Sequence, residues 1–273
     1  MNPPFRIVAW NCRRASHVSG AWDYLLELDP DVALLQEVGG VPDRVADVYA
    51  IASATPVTRA GNPQRFRTAV LVKGTISGDV ELPAPTEWVA RELAFFRGGF
   101  VARRVTLHNG LSLTVISVYS PAFPIARSRL EGVDTTGIRL TQNPDVWATE
   151  ILWACLRSME LREDDPFVVG GDFNSSETFD TLWRGGPRGN LEVMERMNAL
   201  GLRDCLRTFQ GRLTPTFAHS AGTVIHQLDH LYVTSRLLDR LIHCSVGSAE
   251  RVFGTTPSLS DHLPIVATFE ASA

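Results

Sequence analysis

Short apolar runs of strand length recur along this chain, and most stop on, or start from, a carboxylate, an amide or a histidine. A run of four to eight apolar residues bounded by turn signals reads as a strand buried on at least one face. The chain must therefore build sheets, and the polar residues must collect where those strands end. FRIVAWN (5–11) stops on Asn11, and DVALLQEV (31–38) closes with Gln36 and Glu37. PFVVGGDFN (166–174) ends in Asp172 and Asn174. VIHQLDHLYVT (224–234) reads as one strand carrying Asp229, and LPIVATFE (263–270) follows directly on Asp261 and His262.

Between the strands lie segments of helical period. AWDYLLELDP (21–30) has apolar residues at helical spacing and stops at Pro30. With its flanking strands it makes a strand–helix–strand opening, which favours neighbouring strands under a covering helix. TAVLVKG (68–74) is a further strand. Residues 100–121 form a hairpin around Asn109-Gly110, the strongest short hairpin signal. Helices are expected at 145–161 and at 190–202, the second ending near Gly201. Residues 121–144, with prolines at 121, 124 and 144, read as a loop longer than most connections, and long loops often carry function. Strand–helix–strand units and hairpins occur in both halves, about 1–150 and 151–273, with no Ser-Gly-rich or charged linker between them. The expectation is one α/β domain over 1–273, with two sheets facing each other and helices outside.

Composition narrows the classes. The chain is 44% hydrophobic and 21% charged, ordinary for a globular protein. A formal charge of −4 supplies no global basic field toward nucleic acid. Lys73 is the only lysine, so the cations are arginines, the better fork for phosphate. Arg13 with Arg14, Arg65 with Arg67, Arg103 with Arg104, and Arg127 with Arg129 are read as lying in or near loops, where a local basic patch could form. Cys12, Cys155, Cys205 and Cys244 are scattered without a C-x-x-C pair, which suggests buried thiols in a reducing compartment rather than zinc ligands or a disulfide framework. The first residues lack the apolar core of a signal peptide, and no run of eighteen apolar residues exists. A cytoplasmic monomer without a membrane span is expected.

Chemistry gathers at the strand ends. In VVGGDFNSSE (168–177), Gly170 and Gly171 let the backbone bend or approach something closely. Period-two alternation would then turn Asp172 and Asn174 to one side. That pair suits handling a water, a metal or a phosphate, and it equally suits a plain turn. Four converging carboxylates, Glu37, Asp172, Asp229 and Asp261, would repel unless a cation or a protonated histidine sat among them. Oxygen ligands favour a hard cation such as Mg²⁺ or Mn²⁺. His230 would face away from Asp229 and serve packing or surface. His226 and His219 are read as loop or rim residues, and Trp147 and Trp153 as packing residues on a helix.

The ordered set AWN (9–11), LLQE (34–37), SVYSP (117–121), GGDFN (170–174), QLDHLYV (227–233) and SDHLPI (260–265) resembles the endonuclease/exonuclease/phosphatase superfamily of AP endonucleases, DNase I-like nucleases, sphingomyelinases and inositol polyphosphate phosphatases. The resemblance spans residues 5–270. It implies a four-layer α/β-sandwich, with two mostly antiparallel sheets packed face to face. It implies that Glu37 is the principal ligand of Mg²⁺ (Mn²⁺ as the alternative), with Asn11 beside it and Asp261 nearby. Asp172 would orient and deprotonate the attacking water, and Asn174 would hold that water or a phosphate oxygen. His262 would donate to a non-bridging oxygen, Asp229 would hold the His262 ring, and Tyr119 would lie near the phosphate. Arg13, Arg14, Arg67 and Arg127 are candidate substrate contacts. Nucleic acid is the first substrate implied, and small or lipid-headgroup phosphate esters the second. A third reading, binding without cleavage, predicts a missing motif residue, and the main ones are all present.

Overall fold

The computed structural model describes residues 3–182, 189–219 and 223–271. Among them run fourteen strands: β1 (Phe5–Ala15), β2 (Val32–Val38), β3 (Ala50–Ala54), β4 (Arg67–Val72), β5 (Gly74–Asp79), β6 (Phe100–Leu107), β7 (Ser112–Tyr119), β8 (Phe167–Asp172), β9 (Leu202–Asp204), β10 (Phe217–Ala218), β11 (Val224–His226), β12 (Asp229–Thr234), β13 (Leu241–Val246) and β14 (Ile265–Phe269). The helices are α1 (Ala21–Leu28), α2 (Asp43–Ala46), α3 (Glu87–Phe96), α4 (Ala148–Ser158), α5 (Glu177–Leu182), α6 (Asn190–Ala199), α7 (Cys205–Gln210), α8 (Ser235–Leu238) and α9 (Ala249–Phe253).

The strands make two six-stranded sheets, in the orders β13-β14-β1-β2-β4-β3 and β5-β6-β7-β8-β12-β9. Each is antiparallel except for one pair, β1 with β2 in the first and β7 with β8 in the second. The parallel β1–β2 pair needs a crossover, and α1 supplies it, as the opening pattern predicts. Trp22 and Leu25 of α1 pack on Trp10, Leu35 and Leu71 of the first sheet. The helix ends where Asp29 takes a left-handed conformation and its N–H bonds back to Leu25.

Between the sheets, Ile7, Ala9, Leu34 and Val70 meet Val105, Val115, Val168 and Leu231. On the outer face of the second sheet, Val89 of α3 and Ile151, Leu152 and Cys155 of α4 cover Ile116, Val118 and Val169. The result is helix, sheet, sheet, helix, the expected four layers. Each large side chain buried here contributes about 1.5–3 kcal/mol of transfer free energy. All four cysteines are buried thiols.

Several boundaries differ from expectation. The run 68–74 is not one strand: β4 ends at Val72 and β5 starts at Gly74 in the other sheet. Gly74 has φ 151, and a Cβ there would lie 2.1 Å from the Thr106 carbonyl oxygen, so only glycine makes this crossing. The run 224–234 is two strands, because Gln227 and Leu228 break it. β11 pairs with β10 in a two-stranded ribbon, and β12 joins the main sheet. Strands β3, β5, β9 and β13 and helix α3 are not anticipated, although Thr86 caps α3 and its buried Trp88, Val89 and Phe96 mark one face. The helix expected at 145–161 begins only after Trp147. The 121–144 segment is loop, apart from one short 3₁₀ turn at Arg127–Arg129.

Candidate active site

In the second sheet, Tyr119, Asp172 and Asp229 stand side by side on β7, β8 and β12 as register partners. They form one row at the strand ends. In the first sheet Asn11 of β1 pairs with Gln36 of β2, and Glu37 follows at once. The two sheets meet here through a buried bond: the Asn11 amide donates to Asp172 Oδ2 at 3.0 Å. β1 runs on to Ala15 rather than stopping at Asn11, with a register shift after Asn11, and the segment carrying Asp261 and His262 is pinned to it there from two directions. Ser260 Oγ donates to the Asn11 carbonyl (2.6 Å), and the Trp10 indole N–H donates to the His262 carbonyl (2.8 Å).

Gly170 and Gly171 now have their reason. A Cβ on Gly171 would stand 2.2 Å from the Val118 carbonyl oxygen and 2.5 Å from Gln36 Nε2, and one on Gly170 would stand 2.7 Å from Leu231 Cδ1. Gln36 occupies that space because it bridges the sheets, donating to Ser117 Oγ (2.9 Å) and the Leu34 carbonyl (3.0 Å). The bare backbone of β8 lets this buried amide pass directly behind Asp172.

Asn174 reaches Asp172 by a turn rather than by strand alternation, which corrects the expectation. β8 stops at Asp172, and Asn174 is left-handed at φ 48. Its backbone N–H donates to Asp172 Oδ1 (2.9 Å), and its amide donates to Asp172 Oδ2 (3.2 Å) and the Ser120 carbonyl (2.7 Å). Arg13, Arg14 and Glu37 are also left-handed, at φ 45, 58 and 52. Such backbone costs of order 1–3 kcal/mol per residue, and it clusters at sites that need fixed geometry.

His262 Nδ1 donates to Asp229 Oδ2 at 2.8 Å, which leaves Nε2 as the nitrogen to offer a substrate. Thr216 Oγ also donates to Asp229 Oδ2 (2.7 Å), while Asp229 Oδ1 is buried with no hydrogen-bond partner among the described residues. The Phe217 ring lies 4.9 Å from the His262 ring. Burial lowers the affinity of His262 for its second proton, but Asp229, Asp172 and Asp261 outweigh it and move the group up to about 10. Burial raises the Asp172 carboxyl above its ordinary range; Asp229 adds to the rise, and His262 opposes it. Burial raises Tyr119 too, helped by Glu37 and Asp172, so its hydroxyl stays a proton donor.

The predicted residues thus converge. Asp172, Asn174, Asp229, His262 and Tyr119 form one wall, and Asn11, Glu37 and Asp261 lie against it. Glu37 is raised by burial first and then by Asp261, while Arg14, His262 and Asn11 pull it down. A carboxylate that burial and a like charge disfavour, with neutral and acidic oxygens around it, is a fit donor for a hard cation. The tightest metal-capable cluster among the described residues is a different set, Asp172, Asp229 and His262, with ligand atoms within 4.8 Å of one another. Its His262–Asp229 bond already commits one oxygen and one nitrogen; in the Glu37, Asn11 and Asp261 set the Asn11 Oδ1 accepts the Arg13 N–H (3.0 Å), and the two carboxylates face Arg14 and Arg13.

The arginines divide. Arg13 pairs with Asp261 (3.5 Å) and Arg14 with Glu37 (3.8 Å), so both stand at the site. Arg67 opposes Val38 across β2 and β4, beside Glu37. Arg127 is an exposed partner of Asp145 (3.0 Å) on the long loop. Arg103 and Arg104 lie within β6, not in a loop, and Arg103 pairs with Asp79.

His230 is a packing residue: buried, bonded to Asp204 (2.8 Å) and to the Ser175 carbonyl (3.1 Å). His226 sits in β11 rather than a loop, bonded to Thr178. Trp147 and Trp153 pack as expected, though Trp147 caps α4 rather than lying within it, and Trp153 is covered by Arg157 and Arg196. Thr216, Phe217 and Ser260 are site residues that sequence reasoning does not single out. The pattern around the first two, LTPTF, carries no signal stronger than a turn.

A family model described as the Endonuclease/Exonuclease/phosphatase family matches residues 8–262. No curated protein matches the chain. Among solved structures, an AP endonuclease from Archaeoglobus fulgidus superposes with a TM-score of 0.68 at 20% identity, covering 98% of this chain and 100% of that one. A 3′ phosphatase, NExo, from Neisseria bound to a product DNA hairpin gives a TM-score of 0.64 at 17% identity, over 98% and 100% of the two chains. The endonuclease domain of TRAS1, a telomere-specific non-LTR retrotransposon, gives 0.60 at 16% identity, over 99% and 100%.

Proposed function

The chain belongs to the endonuclease/exonuclease/phosphatase family, a metal-dependent group of phosphate-ester hydrolases, and from that premise we propose that it is a Mg²⁺-dependent phosphodiesterase that cleaves nucleic acid. The observation that carries this reading is the buried Asn11–Asp172–Asn174 network facing the Asp229–His262 pair across one row of strand ends. Phosphate diesters resist attack because their charge repels nucleophiles, so catalysis needs charge neutralisation, an aligned water and help for the leaving oxygen.

Glu37, with Asn11 and Asp261, would hold Mg²⁺, or Mn²⁺, whose charge would neutralise the phosphate. Asp172, held through both oxygens by amides, orients the water and takes its proton. Asn174, whose amide hydrogens go to Asp172 and the Ser120 carbonyl, would hold that water by accepting from it at Oδ1. His262 Nε2 donates to a non-bridging oxygen as charge builds there, and Asp229 keeps the ring in that orientation. The Tyr119 hydroxyl donates to the phosphate or to the departing oxygen. Arg13, Arg14 and Arg67 would meet the flanking backbone; Arg127 stands further out on the loop. Every group comes from one chain, so a monomer suffices.

A second reading, a hydrolase of small or lipid-headgroup phosphate esters, is favoured by one observation: Arg13, Arg14 and Arg127 are already paired with acids, which leaves a narrow basic rim. The test is hydrolysis of single-stranded, double-stranded and abasic DNA, of RNA, and of bis-p-nitrophenyl phosphate, each with Mg²⁺, Mn²⁺ or EDTA. Metal-dependent cleavage of a polymer, lost in an Asp172→Asn, His262→Ala double variant, is expected. Turnover of the small ester alone would favour the second reading.

A further inference from the structure

A cavity of about 190 Å³ opens beside Asn174. Its wall combines the catalytic turn with the long 121–144 loop and the start of α4: Asn174, Leu140, Asn143, Trp147 and Glu150, closed by Phe179 of α5. Among the described residues no lysine or arginine lines it. Its described lining offers three asparagines, two hydroxyls, two aromatic rings and two aliphatic side chains. Glu150 adds a carboxyl that burial raises to about 8, so it too is uncharged at neutral pH. Trp147 Nε1 is buried in this wall with no hydrogen-bond partner among the described residues.

Amides, hydroxyls and flat rings together suit a flat ring system with donors and acceptors on its edge. A polyol has no flat apolar face to place against Trp147 and Phe179, and an acyl chain has no polar edge for Asn143. The volume lies below the roughly 300 Å³ at which pockets begin to take drug-sized ligands, so it admits one ring system and not two stacked ones. Asn174 joins the cavity to the reacting centre, since the same amide that lines it bonds to Asp172 at 3.2 Å. A ring held there belongs to the nucleotide whose phosphate is attacked.

We propose that this cavity is a nucleobase subsite that takes the unstacked base next to the reacting phosphate, so that the enzyme acts on unpaired nucleotides in single-stranded nucleic acid. The inference rests on the phosphodiesterase reading above. It gives the long loop a role, since Leu140 and Asn143 build the wall. It also makes an abasic nucleotide a poor substrate for this chain, because nothing would fill the cavity.

The test is isothermal titration calorimetry of the whole protein with Mg²⁺, using adenosine 5′-monophosphate, uridine 5′-monophosphate and ribose 5-phosphate. At least one nucleotide should bind about tenfold more tightly than the sugar phosphate, the scale of one base–aromatic stack. Trp147→Ala and Phe179→Ala should each bring the affinities toward parity. Equal affinity of the wild type for all three probes overturns the subsite. Hydrolysis of bis-p-nitrophenyl phosphate in the same preparations separates the two readings. Turnover without base preference removes the subsite and leaves the phosphoesterase; base preference without turnover removes the catalytic reading and leaves a nucleotide pocket.

Discussion

At the residue scale, His262 sits among carboxylates that favour its protonated form. Asp229, Asp172 and Asp261 outweigh its burial and move it up to about 10, while burial moves Asp172 above the ordinary carboxylate range. The base must lose its proton and the acid must keep its own, so kcat/KM should rise along a limb above the usual carboxylate range and fall along one well above 6.5. Asp229→Asn removes the negative charge nearest the ring. The imidazolium then loses support, so the falling limb should move to lower pH, with kcat down by about 10²-fold or more. A pH–rate profile on bis-p-nitrophenyl phosphate checks this, and an unmoved alkaline limb would mean that Asp229 does not hold His262. The Asp172-Asn174 spacing suggested this chemistry, but the left-handed turn that makes Asn174 a double donor to Asp172 depends on the Ser120 carbonyl, a partner 54 residues away in sequence.

At the scale of the element, β8 carries glycines just before Asp172 because Leu231 crowds Gly170, while Gln36 and the Val118 carbonyl fill the space where a Cβ of residue 171 would go. Gly171→Ala should destabilise the protein by about 3 kcal/mol or more, since it combines a backbone clash with φ 138, a conformation that side chains rarely adopt. The midpoint of urea unfolding measures it, and a change under 1 kcal/mol would show that the strand end yields (about the tolerance of a volume-conserving swap).

Helix α4 carries a different device at its start. Glu150 accepts the Trp147 backbone N–H (3.0 Å), and its carboxyl keeps its proton up to about 8 in the fold, against 4.5 ordinarily. Between those values the unfolded chain binds fewer protons than the folded one, so stability falls as pH rises. Glu150→Gln keeps the acceptor and removes the titration. Its thermal midpoint should therefore gain on the wild type between pH 5 and pH 8, and parallel curves would refute a buried neutral acid.

Four of the strands missed from sequence, β3, β5, β9 and β13, are the outermost strands of the two sheets. An edge strand with one neighbour is only half covered, so it needs no apolar run: Ala50–Ala54 and Gly74–Asp79 are largely intermediate or exposed. The central strands, buried between layers, are the ones that composition reveals.

For the molecule as a whole, the two halves of the chain are interleaved. β13 and β14, from the second half, complete the sheet begun by β1 to β4, with Phe5 opposite Phe269. The parallel β7–β8 pair joins the halves again in the other sheet. Neither half can bury its inner face alone, because strands of both halves complete each sheet, meeting at β14–β1 in the first and at β7–β8 in the second. Separately expressed fragments 1–144 and 145–273 should therefore remain unfolded by far-UV circular dichroism and regain structure and activity only when mixed. A fragment that folds and unfolds cooperatively by itself would show two domains where we propose one. The active site follows the same rule, since Asn11, Glu37 and Tyr119 come from the first half and Asp172, Asp229 and His262 from the second.

The sequence alone determined the central strands, the crossover helix and the identity of the residues at the strand ends. These follow from short-range physics: apolar period, proline stops, glycine and asparagine turns, and motifs that lie within a few residues. Only the tertiary structure decided what those residues do to one another. The Asn11–Asp172 bond spans 161 positions, and the His262–Asp229 bond spans 33. Thr216, which steadies Asp229, Gln36, which requires a bare Gly171, and the neutral cavity beside Asn174 are all products of sheet packing. No local pattern encodes them, because hydrogen bonds, desolvation and charge act through distance in space, and the fold alone sets that distance.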